Sequence, residues 1–153
     1  MISRTLFLGG AAAILLALGL AGCDTLKSMT GTGGGTDRYD AALSAAQEVP
    51  PNPSTATGQA EVTYNRDTST MSYRVTYSGL TGPATAGHIH GPAGPGANAG
   101  VAVPFANTGT SPITGEVKLT PEQLNQLNSG QWYVNLHTAR NPGGEIRGQL
   151  RRR

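Results

Sequence analysis

Two of the three histidines in this chain, His88 and His90, are separated by a single residue within the segment 85–93. In an extended strand, side chains alternate between faces and each residue advances about 3.3 Å, so imidazoles at this spacing point the same way, roughly 7 Å apart. Ile89 points to the opposite face and supplies an apolar anchor. The spacing therefore predicts a strand that presents a pair of histidines on one face.

The third histidine, His137, ends a second strand-like run at residues 131–137. One face of this run is apolar and comprises Trp132, Val134 and Leu136. The other face is polar and comprises Tyr133, Asn135 and His137. Both runs are expected to bury an apolar face and to turn their histidines away from it.

Neutral imidazoles that converge from two neighbouring strands would suit copper or zinc. With three protein ligands, a fourth coordination position stays open for water or substrate. We therefore expect His88, His90 and His137 to form a mononuclear metal site if the two strands meet. The alternative is that the same histidines lie at strand ends and bond to a neighbouring loop without a metal.

Other polar side chains lie on faces that would suit a role around such a site. Those that could orient the imidazole rings are Tyr133, Asn135 and Glu145. Arg147 and Arg140 could attract an anion to the metal, although we expect both to be solvent-exposed residues of a strand and a turn.

Short apolar runs separated by turns predict an all-β domain, since the 153 residues include 22 glycines and 10 prolines. About eight strands in this pattern are typical of a Greek-key β-sandwich. The strands are predicted at residues 39–46, 58–64, 70–78, 85–90, 101–105, 113–119, 131–137 and 145–150. One short helix is predicted after Thr120, with Pro121 at its first position and Gln123 completing a capping box. The loop at 91–100 has four glycines and two prolines, so it is expected to be irregular.

Composition excludes several classes of function. Charged residues make up 13% of the chain and the formal net charge is +2, so no basic field suited to nucleic acid is present. Paired carboxylates, a nucleophile beside a base, and a phosphate-binding loop are absent as recognisable patterns. The sequence therefore favours a binding protein over an enzyme.

The N-terminal residues 1–22 are predicted to be a signal peptide. Arg4 gives a positive start, residues 6–20 are apolar but too short to span a bilayer comfortably, and small residues precede Cys23, the single cysteine. The run Leu20-Ala21-Gly22-Cys23 resembles a bacterial lipobox, which implies that a lipidated Cys23 anchors the protein to a membrane. The alternative is an ordinary secretory signal. The expected location is the bacterial cell envelope, on its periplasmic or extracellular face.

Residues 23–37 are then expected to form the lipidated cysteine and a flexible linker, because they have no hydrophobic period and little apolar surface. Residues 38–153 are expected to form the single folded domain, since a chain of this length has room for one modest core.

Several motifs within this domain resemble the CHRD family, named after chordin. They are Leu43-Ser44-Ala45-Ala46-Gln47-Glu48-Val49-Pro50-Pro51, Gly87-His88-Ile89-His90-Gly91-Pro92-Ala93, Leu119-Thr120-Pro121-Glu122-Gln123, Tyr133-Val134-Asn135-Leu136-His137-Thr138 and Pro142-Gly143-Gly144-Glu145-Ile146-Arg147-Gly148-Gln149. The resemblance implies an immunoglobulin-like or superoxide-dismutase-like β-sandwich.

A more distant likeness is to the copper/zinc superoxide dismutases, whose copper is held partly by a His-x-His on one strand and by a further histidine near the C-terminal end. His88, His90 and His137 follow that order. However, no histidine lies between His90 and His137 to bridge to zinc, and no cysteine remains for a disulfide. The likeness implies a single copper ion, favoured over zinc, while any enzyme would be a copper-dependent one of superoxide-dismutase type.

Two hypotheses follow from the sequence. In the first, a membrane-anchored CHRD domain binds one copper ion through its three histidines, for copper handling or oxidant defence. In the second, the domain is a metal-free interaction module with structural histidines, and its partner is another protein or a second copy of the chain.

Overall fold

The structure is a computed structural model that describes residues 35–153. The predicted signal peptide, Cys23 and most of the predicted linker lie outside the described residues. Within these residues there are nine strands: β1 Thr36–Ser44, β2 Thr57–Asn65, β3 Thr70–Ser78, β4 Ala84–His90, β5 Val101–Pro104, β6 Ile113–Lys118, β7 Tyr133–Thr138, β8 Ile146–Gln149 and β9 Arg151–Arg152. The same part of the chain contains one α-helix, α1, which spans Pro121–Asn128, and a short 3₁₀ turn at Ala45–Gln47. The predicted all-β fold is confirmed.

The strands form one antiparallel sheet in the order β5-β4-β7-β8-β1-β2-β3-β6, with β9 paired to β1. The sheet curls until it nearly closes, so that its two halves pack face to face in a sandwich-like arrangement. Buried side chains from both halves share one core, including Val62 and Val75 from one half and Ile89 and Val134 from the other. In this order β4 lies directly beside β7, which positions the two histidine-bearing segments.

The segment after β5 connects the β5 edge of the sheet to β3, the strand next to the opposite edge. Phe105 stacks on Tyr73 of β3, with ring centroids 4.7 Å apart. The hydroxyl of Tyr77 donates to the carbonyl of Thr108 at 2.6 Å. These contacts bring β3 and β5 together although no backbone ladder joins them, and they fix the β4 side of the sheet over the core.

The helix α1 begins as its sequence predicts. The Thr120 hydroxyl accepts from the Gln123 backbone N–H at 3.2 Å, while the Gln123 side-chain oxygen accepts from the Thr120 N–H at 2.9 Å. Leu127 is buried against the core, and the Trp132 indole N–H donates to Gln126 at 3.1 Å. The helix therefore fixes the start of β7. Among the described residues, no helix is both long and apolar enough to cross a membrane.

The structure departs from the sequence analysis in the burial of β7 and β8. Alternation predicted one exposed face, but every residue of β8 and all but His137 of β7 are buried. The loop at 91–100 covers the polar face, and Arg147 is only 1% exposed. The expectation that Arg147 is solvent-exposed was therefore wrong. Its guanidinium donates to carbonyls of that loop, contacts that periodicity within one strand does not reveal.

The first strand begins two residues before the expected start of the domain at residue 38. Asp37 is buried and its carboxylate pairs with both Arg66 and Arg152. Hydrogen bonds from Arg66, together with the charge of Arg152, lower the pKa of Asp37 despite its burial. These pairs attach the start of β1 to the turn after β2 and to β9.

Candidate metal centre

The antiparallel pairing of β4 with β7 brings the three histidines to one face of the sheet. In this register His88 lies opposite Asn135, His90 opposite Tyr133, and Ala86 opposite His137. Ile89 and Val134, which lie opposite each other, are both fully buried. Because side chains alternate along a strand, burial of this apolar pair turns the neighbouring imidazoles to the other face.

The three imidazoles converge closely enough to share one ion. One ring nitrogen from each residue can be chosen so that all three atoms lie within 4.8 Å of one another. His88 Nδ1 lies 3.2 Å from His137 Nε2. Two nitrogens bound tetrahedrally to one ion at 2.0–2.1 Å would be about 3.3 Å apart. The spacing of this pair therefore suits two ligands of a single metal ion.

Backbone carbonyls orient two of the rings. His90 Nδ1 lies 3.0 Å from the carbonyl oxygen of Ala99, and His137 Nδ1 lies 2.9 Å from that of Pro142. A carbonyl only accepts, so each Nδ1 carries the proton and donates it, which leaves both Nε2 atoms with a lone pair. This is the tautomer that an outer hydrogen bond imposes on a metal-binding histidine.

The surroundings keep the three histidines neutral at pH 7. Burial lowers the pKa of His88, and the nearby His137 and His90 lower it further. Burial also lowers the pKa of His90 and of His137, and outweighs the opposing effect of their hydrogen bonds to carbonyls. Neutral imidazole is the form that binds a metal, so the chemistry of these residues fits copper or zinc.

The side chains expected to orient the rings have other partners. Tyr133 contacts His90 by stacking, with centroids 4.9 Å apart and planes 6° from parallel, while its hydroxyl accepts from the Ala99 N–H at 3.1 Å. Asn135 donates to Glu48 at 2.7 Å, and its buried Oδ1 has no hydrogen-bond partner among residues 35–153. Neither side chain hydrogen-bonds to a histidine ring.

Glu145 lies in a separate cluster of hydroxyl groups. It is fully buried and accepts from the hydroxyls of Ser54, Thr81 and Thr138 and from the backbone N–H of Thr81, at 2.6–2.8 Å. Burial alone would raise the pKa of Glu145, but these hydrogen bonds outweigh it and lower the pKa to about 2. The arrangement ties two loops to the β7–β8 turn, which is a structural role.

Sequence reasoning missed Glu48 as a member of the buried polar network. It is 5% exposed, and burial raises its pKa to about 7, against the attraction of Arg147. A Cβ atom on Gly144 would lie 2.6 Å from the Glu48 carboxylate and would overlap Asn135. The motifs that carry the family resemblance include both residues, but no spacing rule within a strand relates position 48 to position 144.

Comparison with known proteins identifies the domain. The model of the CHRD domain family matches residues 39–150, which is well over half of the 153-residue chain and includes all three histidines. No curated protein and no solved structure is significantly similar to the chain. The likeness to superoxide dismutases therefore stays a prediction based on the order of the histidines.

Proposed function

The chain belongs to the CHRD domain family, and we propose that its domain binds one copper ion through His88, His90 and His137, for copper handling or oxidant defence. One observation carries the proposal: ring nitrogens of three histidines from two strands lie within 4.8 Å of one another. Nδ1 of His90 and of His137 each donates a hydrogen bond to a backbone carbonyl, which leaves the lone pair of each ring on Nε2, free to bind a metal.

Copper is preferred to zinc on chemical grounds. An all-imidazole site accepts either ion, but divalent copper binds a given set of nitrogen ligands more tightly than zinc does. Three protein ligands would leave a position for water or for a small molecule. We assign no enzymatic reaction to the site, because no hydrogen bond joins a carboxylate to any of the three rings among the described residues.

We also propose that a lipid on Cys23 holds the domain at the bacterial cell envelope, on its periplasmic or extracellular face. The support is the run Leu20-Ala21-Gly22-Cys23, which follows an apolar segment and contains the single cysteine of the chain. Metabolic labelling with a radioactive fatty acid tests this proposal. Wild type should take up the label, whereas a Cys23→Ser variant should not.

A metal-free interaction module is the second candidate function. The observation in its favour is that His88 Nδ1 and His137 Nε2, 3.2 Å apart, can share a proton in a direct hydrogen bond. The three rings then have hydrogen-bond partners without a metal, and the function of the domain would be to bind a protein or a second copy of itself through its loops.

Calorimetric titration of the metal-free, full-length chain with Cu(II) in detergent tests the copper site. We expect one equivalent to bind, and His88→Ala, His90→Ala and His137→Ala each to weaken binding at least tenfold. An Asp67→Ala variant, which removes an exposed carboxylate from the β2–β3 turn, should bind like wild type. Absence of binding, or a His88→Ala variant that binds as tightly as wild type, would contradict the proposal.

A further inference from the structure

Tyr133 is held between His90 and Arg147. The His90 ring stacks on Tyr133 with centroids 4.9 Å apart, and the guanidinium carbon of Arg147 lies 3.5 Å from the Tyr133 ring centroid. Strand β7 lies between β4 and β8 in the sheet, so the imidazole and the guanidinium approach Tyr133 from opposite sides. The three side chains form a continuous stack that ends at a histidine of the proposed copper site.

Arg147 brings a positive charge into the interior, where the buried Glu48, with a pKa of about 7, attracts it without forming an ion pair. Its side chain is 1% exposed, and the ion pairs of residues 35–153 do not include it. Its hydrogen bonds go instead to neutral acceptors in the loop at 91–100: the side-chain oxygen of Asn98 at 3.0 Å and the carbonyl of Ala97 at 2.7 Å. Burial of a cation is costly, and these hydrogen bonds, the Tyr133 ring and the attraction of Glu48 offset that cost, so the charge is held in a fixed place.

The guanidinium carbon of Arg147 lies 3.5 Å from the Tyr133 centroid, which lies 4.9 Å from the His90 centroid. The guanidinium carbon is therefore at most 8.4 Å from the centre of the His90 ring. A fixed positive charge at such a distance repels a divalent ion more than a monovalent one. Cu(II) carries one more unit of positive charge than Cu(I). For charges about 10 Å apart and an effective dielectric constant of about 20, repulsion of that extra unit shifts the Cu(II)/Cu(I) equilibrium towards Cu(I) by roughly tenfold.

We propose that Arg147 is a positioning residue that acts through Tyr133 and His90, and that its fixed charge favours Cu(I) over Cu(II) at the three histidines. This inference rests on the proposed copper site. The inference gives that site a preferred oxidation state. A buried cation that stacks on the neighbour of one ligand favours the reduced form of bound copper.

Arg147 has a second effect that must be separated from its charge. The loop that it holds at Ala97 and Asn98 continues to Ala99, whose carbonyl orients His90. Removal of Arg147 could therefore disturb the ligand through the loop. Arg147→Lys keeps the charge but loses the planar fork of donors, whereas Arg147→Met keeps much of the apolar stem and removes the charge.

The experiment is a potentiometric redox titration of the copper-loaded, full-length chain. Arg147→Met should lower the reduction potential by about 59 mV, which corresponds to a tenfold change in the ratio of the one-electron couple. Arg147→Lys should keep most of the wild-type potential. Arg74→Met, which removes an exposed charge from β3, should match wild type. If Arg147→Met does not fold, Arg147→Gln replaces it, because its amide still donates to a loop carbonyl.

Two outcomes would overturn the inference. One is a neutral variant whose potential equals that of wild type, and the other is a lysine variant whose potential falls as far as that of the neutral variant. In both cases wild type still binds copper, so the proposed function stands. If wild type binds no copper in the preceding titration, the proposed function itself fails.

Discussion

The Nδ1 atom of His88 lies 3.2 Å from the Nε2 atom of His137, although 49 residues separate the two histidines in the sequence. The pairing of β4 with β7 produces this approach, and buried Ile89 and Val134 hold the pair in register. A one-residue shift of β7 would move His137 to the opposite face of the sheet. The register of these two strands is therefore the condition for a shared metal site.

Copper should stabilise the folded domain through this site. An ion that binds the folded chain at one hundred times its dissociation constant adds about 2.7 kcal/mol to the free energy of unfolding. We expect thermal unfolding of wild type to shift upwards with Cu(II), and a variant with all three histidines replaced by alanine to show no shift. A copper-dependent shift in the triple variant would place the ion elsewhere.

The strand pattern of this fold was predictable from sequence, whereas the packing of the loop at 91–100 against the polar face of β7 and β8 was not. Local alternation and the Thr120 capping box gave correct strands and a correct helix because both depend on neighbours in sequence. Burial of Arg147 depends on acceptors near residues 97 and 98, and orientation of His90 depends on the carbonyl of Ala99. Backbone carbonyls have no sequence signature, so residue types alone could not identify these partners.

The glycine at 144 should be required for stability, unlike its neighbour. Gly144 has a φ of +135°, and an added Cβ would crowd the Glu48 carboxylate and Asn135. Gly144→Ala should therefore lower the free energy of unfolding by about 2 kcal/mol or more, through strain and overpacking. Gly143→Ala is the matched control, because a Cβ there has no atom within 4 Å. Urea denaturation of both variants checks the prediction, and equal stabilities would contradict it.

Acid should weaken the fold through Glu145. Its pKa in the folded state is about 2, below the ordinary value of 4.5, because four hydrogen bonds favour the carboxylate. A lowered pKa contributes stability that is fully present above about pH 4.5 and is lost as the pH falls towards 2. Glu145→Gln should lower the free energy of unfolding at pH 7 by about 2 kcal/mol, since its amide N–H groups would face hydroxyl and N–H donors.

Urea denaturation between pH 2.5 and 7 measures this contribution. The difference in stability between wild type and Glu145→Gln should shrink as the pH falls, because wild type loses the carboxylate that the variant lacks throughout. A difference that stays constant over this range would show that the Glu145 carboxylate does not supply the stability.

Glu48 should show the opposite dependence on pH. Burial raises its pKa from 4.5 to about 7, so the folded chain holds a proton on Glu48 that the unfolded chain releases at lower pH. Stability contributed by this group is therefore full below about pH 4.5 and is lost as the pH rises to 7. Glu48→Gln keeps an oxygen that can accept from Asn135 and removes the charge. At pH 8 the variant should be more stable than wild type by about 1–2 kcal/mol, which is less than the full pKa difference implies because solvent partly screens the carboxyl.

At pH 5 the same substitution should change the stability little, because Glu48 is already protonated in the folded wild-type chain. Parallel urea titrations at pH 5 and pH 8 distinguish this effect from a general change in packing, which would be equal at both values. Glu61→Gln, which removes an exposed carboxylate from β2, serves as the control and should leave the pH profile unchanged. A Glu48→Gln variant that is less stable than wild type at pH 8 would show that the buried carboxylate of Glu48 is stabilised as an anion by Asn135 and Arg147.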